Sequence, residues 1–119
     1  MSVGDPVTDR VLALNVGSSS FKWSLFDATD EAIDSGEGKL DLGALAARVG
    51  EVGVVAHRVV HGGERFREPV VVDDAVRRDL DALIDLAPLH MPPALAVIDA
   101  ARAQWPDAVQ VAAFDTAFH

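Results

Sequence analysis

"LNVGSSSFKWSLFD", residues 14–27, is the stretch on which the fold turns. An apolar run enters one glycine and three serines, and a second strand-like run leaves through Lys22. Arg10 to Val16 and Phe21 to Phe26 therefore read as two strands of a β-hairpin. The turn is not a P-loop, which needs GxxxxGK[ST] ahead of a helix, whereas a strand follows here. Turn N–H groups with the hydroxyls of Ser18, Ser19 and Ser20 can surround an anion, and Lys22 adds charge. The same serines can equally solvate a bend. Asn15 places an amide at a strand's carboxyl end, where sites gather in α/β folds.

Working outward, residues 1–9 read as a loose polar tail and residues 31–40 as a weak third strand. Asp41 has the chemistry of an N-cap for a helix with Leu42, Leu45, Ala46 and Val49 on one side, and Gly50 is its stop. Val52 to Val60 is almost unbroken in apolar, β-branched residues, the pattern of a strand buried on both faces. Val70 to Val72 suits a short edge strand. From Asp73 or Asp74 a helix is expected, its stripe formed by Val76, Leu80, Leu83, Ile84 and Ala87. Pro92 and Pro93 fit the first turn of a further helix with Ala94, Ile98, Ala101 and Trp105 inward. Val109 to Phe114 is a last buried strand. The order β-β-β-α-β-α-α-β predicts an α/β domain, a mixed sheet with an N-terminal hairpin and helices packed on it.

The chain has 119 residues, half of them hydrophobic, and a net charge of −9. One domain with a real core is expected, and neither nucleic acid nor an anionic membrane surface suits so acidic a protein. There is no cysteine, which excludes disulfides and thiolate metal sites. No apolar run approaches a membrane span and the first residues lack a signal-peptide pattern, so a cytoplasmic location is the expectation.

Against this acidity, His57 to Arg67 holds Arg58, Arg65 and Arg67 against Glu64 alone, a local charge of +2 that leaves −11 for the rest. A basic island of this kind suits a carboxylate or phosphate ligand. Arg58 lies inside the apolar run, and a buried guanidinium needs a partner: an anionic ligand or an internal acid. His57 and His61 are open to core or surface roles. Asp115, at the end of the last strand, could orient a nucleophile, act as a base, bind a metal or cap a following helix. His90 in "LAPLHMPP" is either a helix-end cap or a ligand-facing imidazole.

Taken in order, "LNVGSSSFKWSLFD", "AHRVVHGGERF", "LAPLHMPPAL" and "FDTAFH" resemble the successive N-terminal motifs of the acetokinase family, over about Arg10 to His119. The resemblance implies an actin-like, ribonuclease-H-like domain and a reversible transfer in which ATP and acetate give ADP and acetyl phosphate with Mg2+. It implies that Asn15 sits at the magnesium and the transferred phosphoryl group, with Ser18, Ser19, Ser20 and Lys22 in the phosphate-facing hairpin. Arg58 would hold acetate and the developing phosphoryl charge. Val60 and Leu89 would line the methyl pocket, His90 would donate to phosphoryl oxygens, and Asp115 would position acetate or act through magnesium. A homodimer is implied for the full-length form, and propionate is an alternative acceptor.

Two departures accompany the resemblance. His90 is followed by Met91, where the family usually has asparagine, and a thioether cannot replace an amide's hydrogen bonds. Family members are also several-fold longer, and no second, nucleotide-binding domain has a counterpart here. The 119-residue chain by itself is therefore expected to be inactive. The alternative is a non-catalytic remnant that binds phosphate, a carboxylate or a protein partner.

Overall fold

The computed structural model describes residues 10–16, 21–27, 31–59, 68–86, 88–89 and 91–114. Their elements are β1 (Val11–Val16), β2 (Phe21–Phe26), β3 (Ala32–Gly38), α1 (Leu42–Val49), β4 (Val54–Val59), β5 (Val70–Val71), α2 (Asp74–Asp81), a 3-10 turn (Ile84–Leu86), α3 (Met91–Gln104) and β6 (Val109–Phe114). The six strands form one sheet in the order β3-β2-β1-β4-β6-β5. β1, β4 and β6 are mutually parallel neighbours, whereas β2, β3 and β5 run antiparallel to theirs. The hairpin and the mixed sheet expected from the sequence are both present. Among the described residues no helix is long and apolar enough to cross a membrane.

All three helices cover the same face. Leu12, Leu14, Phe21, Trp23, Leu25 and Val55 pack there with Leu42, Leu45 and Val49 of α1 and with Val97 and Ala101 of α3. A second cluster joins Val59, Ala112 and Phe114 to Leu80 of α2 and to Met91, Leu95 and Ile98 of α3. Because strand side chains alternate, the intervening residues point the other way. Val54 and Ala56 of β4 are only half-buried and Arg58 is exposed. β4 is thus buried on one face, not on both, and Arg58 is not a buried guanidinium. The apolar run misled because Val54 and Ala56 share hydrophobicity with Val55 and Val59 although they face away from the helices.

Local signals account for the helix ends. Asp41 accepts from the Ala44 N–H at 3.0 Å, and Gly50 closes α1 with φ of 73°, a conformation that favours glycine. Asp73 caps α2 in the same way, accepting from Val76 N–H at 2.8 Å. α2 does not run on to Ala87. It stops at Asp81, where Leu83 N–H bonds back to Leu80 O at 3.0 Å, and the tighter turn still brings Leu83 into the core. Ala87 lies outside the described residues. Met91, which the sequence places beside the site, is fully buried in the second cluster and serves packing.

Ion pairs and one indole fix the layers. Arg77 grips Asp99 through Nε and Nη2 at 2.7 and 2.8 Å and Asp81 through Nη1 at 2.6 Å, which clamps α2 to α3. Arg102 adds a 2.6 Å bond to Asp74. The Trp105 Nε1–H donates to Gly50 O at 2.9 Å, joining the end of α3 to the end of α1. At one sheet edge β5 is two residues long, and at the other β3 carries Asp34 and Glu37. Short or charged edges discourage pairing with another chain.

Candidate functional site

On the face away from the helices, strand registers set side chains in rows. Asn15 of β1 is opposite Lys22 of β2 on one side and Arg58 of β4 on the other, and Arg58 is opposite Ala113 of β6. Asn15, Arg58 and Ala113 are each the penultimate residue of a parallel strand, so the row runs along the carboxyl edge of the sheet. Neighbouring strands are about 4.8 Å apart, so Lys22 and Arg58 stand roughly 10 Å from each other with the Asn15 amide between them. The next row inward is Ser24, Ala13, Ala56 and Val111. The short side chains of Ser24, Ala13 and Ala56 leave a cavity of about 480 Å³ on this face, lined also by Asn15, Lys22, Arg58 and Ala113 among others.

Two cations flanking an amide, above a small-residue floor, suit an anion. The guanidinium offers a planar fork of donors, the ammonium a point charge and the amide both a donor and an acceptor. Beneath the row, on the helix side, His57 Nε2 lies 2.7 Å from Gln110 Oε1. Burial pushes the His57 pKa below that of a free imidazole, and the bond to Gln110 opposes it in part. His57 is therefore a core histidine and not a surface one.

Of the sequence-derived candidates, Asn15, Lys22 and Arg58 are brought together. Leu89 is 82% exposed and does not line this cavity. Ser18, Ser19, Ser20, Val60, His61, His90 and Asp115 lie outside the described residues. The sequence reading missed Ala13, Ser24, Ala56 and Ala113, whose signal was period-two alternation of small residues in step with Asn15 and Arg58. Magnesium is not accommodated by the described residues alone. They offer it one neutral amide oxygen between two cations, and no cluster of three acidic or imidazole ligands occurs among them.

The sequence profile of the Acetokinase family matches residues 29–119. The chain belongs to that family. An acetate kinase of Arthrobacter sp. strain FB24 is 38% identical over an alignment that covers 92% of this chain and 36% of the relative. The crystal structure of acetate kinase from Entamoeba histolytica superposes with a TM-score of 0.80 at 31% identity, covering 92% of this chain and 36% of that one. A propionate kinase from Francisella tularensis gives 0.78 at 28% identity, over 93% and 38%. This acetokinase-family chain thus spans little more than a third of the length of the relatives it matches, and it shares their fold over that span. The row Lys22–Asn15–Arg58 lies at the carboxyl edge of the parallel strands β1 and β4.

Proposed function

We propose that this chain is the acetate- and phosphate-facing, N-terminal part of an acetate kinase, a domain running from residue 10 to residue 119. The observation that carries the reading is the cross-strand row Lys22–Asn15–Arg58 above a small-residue floor. In the reaction a carboxylate oxygen of acetate attacks the γ-phosphorus of ATP. A new O–P bond forms as the bond to the β-phosphate oxygen breaks, and ADP leaves with that electron pair. No proton has to move. Catalysis is then a matter of alignment and charge neutralisation, which cations supply. Arg58 holds the carboxylate and the equatorial phosphoryl oxygens, Lys22 neutralises phosphate charge, and Asn15 donates to a phosphoryl oxygen.

In the sequence, Ser18, Ser19 and Ser20 come after β1, Val60 after β4 and Asp115 after β6. Their roles, with those of Leu89 and His90, are those the family resemblance implies. Magnesium would supply neutralisation of phosphate charge, and Asn15 would offer it a single amide oxygen. ATP and ADP require the longer chain, as does the homodimer. Propionate is a second acceptor, since one methylene changes discrimination by only about 1–3 kcal/mol. The test is to purify the native protein from its source cells, weigh it and assay acetyl phosphate formation. We expect a mass several-fold above 12.6 kDa and an activity that Arg58→Ala abolishes. A native protein that makes no acetyl phosphate overturns the reading.

A further inference from the structure

His57 and Gln110 are the two buried polar side chains among the described residues, 3% and 5% exposed. Gln110 Nε2 reaches the Ala101 carbonyl at 3.5 Å, in the last turn of α3, where the same carbonyl accepts from Trp105 N–H at 2.9 Å. A carbonyl can only accept, so the nitrogen of the amide must face Ala101 and its oxygen must face the imidazole. His57 is therefore the donor at Nε2, and Nδ1 carries the free lone pair of the neutral ring. One bond chain thereby links β4, β6 and α3.

Its position gives the chain leverage on the site. Leu14 and Ala112 flank His57 on the adjacent strands, and they belong to different core clusters, so the bond lies at the seam between the two. Arg58 is the next residue in β4 and leaves by the opposite face. The peptide between them cannot tilt toward the helices without lowering Arg58 in its row. We infer that His57 is a positioning residue for Arg58: through Gln110 it holds the carboxyl end of β4 at a set height, and a proton taken up at Nδ1 loosens that end and weakens anion binding by Arg58.

The surroundings make a proton there disruptive. His57 faces Leu14 from β1, Gln110 and Ala112 from β6, and the Ala101 turn of α3. No charged side chain of the described residues is among these. Asp99 and Arg102 of α3 are engaged by Arg77 and Asp74 of α2. Burial is the main cause that lowers the proton affinity of the ring, and no ion pair offsets it.

The affinity part of this inference rests on the anion-site reading, so the test keeps the two apart. Nitrogen-detected NMR of the imidazoles follows His57 from pH 7.5 downward through its titration, while the Arg58 Nε–H and the Asn15 side-chain amide report on the opposite face. Sulfate, whose charge is constant over this range, serves as the anion. We expect the Nε2–H tautomer at neutral pH, open-face signals that shift with the His57 midpoint, and sulfate affinity that falls at least threefold. In His57→Gln, which keeps a donor but cannot titrate, affinity should be flat with pH. Open-face signals indifferent to the His57 titration overturn the inference, and this arm needs no variant and no ligand. Coupled signals without sulfate binding at any pH overturn the anion site but leave the His57–Arg58 coupling standing.

Discussion

Asn15 and Arg58 are direct partners across the parallel β1–β4 pair, each one residue from its strand's end. That register places an amide and a guanidinium side by side at the carboxyl edge, while their neighbours Leu14 and His57 anchor the same two strands in the core. Site and core are therefore separable by substitution.

Arg58→Ala tests the separation. The side chain is exposed, where a polar or ionic contact is worth about 1 kcal/mol at most, so unfolding free energy should change by no more than that. Loss of a charge-assisted contact to an anion should cost about 1.5–3 kcal/mol, roughly ten- to a hundredfold in affinity. Urea unfolding and sulfate titration by NMR read the two effects independently. A collapse in stability would mean that Arg58 belongs to the core after all.

Gly36→Ala should destabilise, because a Cβ there would stand 2.8 Å from Trp23 Nε1 and 2.9 Å from its Cε2. The indole is held in place, buried on one side and covered by the Arg48 guanidinium at 5.1 Å from the ring centroid. Overpacking of this kind costs about 1–3 kcal/mol. The urea midpoint should fall with an unchanged slope, and a midpoint equal to wild type would show that the indole yields freely.

Asp41→Ala removes the side chain that accepts the Ala44 N–H at the start of an eight-residue helix. A lost N-cap costs about 1 kcal/mol, and Asp41→Asn should recover most of it. Hydrogen exchange of the α1 amides should quicken in the alanine variant before those of α3 do. Uniform quickening across both helices would contradict a local role for the cap.

Acid should weaken the fold in two stages. An unfolded imidazole titrates near pH 6.5, and burial holds His57 lower in the fold. Between those values the unfolded chain binds the extra proton, so unfolding free energy declines as pH falls below 6.5. The slope for one proton is at most about 1.4 kcal/mol per pH unit. Asp34, Asp74 and Asp99 are held below their usual value, first of all by hydrogen bonds from Arg48, Arg102 and Arg77. Their contribution is present above pH 3.8 and is lost as pH drops through the lower folded values. Denaturation from pH 8 to 3 should show both stages in wild type and only the second in His57→Gln.

Much was legible in the chain because its signals are local. Asp41 and Gly50 bound α1, the prolines lie in the first turn of α3, and a glycine with three serines between two apolar runs makes a hairpin. Two acids, Asp73 and Asp74, both suited the start of α2, and only the cap geometry shows that Asp73 is the N-cap. The family motifs, read in order, pointed to Asn15, Lys22 and Arg58 as parts of one site; what the comparisons bear out is the chain's membership of that family.

Other features were decided in three dimensions. Hydrophobicity does not state which face a residue takes, so Val52 to Val60 read as doubly buried until the helices were seen to share one side of the sheet. The floor of Ala13, Ser24 and Ala56 exists only once strands distant in sequence fall into register. The His57–Gln110 bond joins residues 53 positions apart, and Met91 was assigned to the core by the way α3 docks. Composition, caps and motif order depend on neighbours along the chain, and the sequence by itself determined them. Facing, register and the partners of buried polar groups depend on neighbours across space, and only packing could choose them.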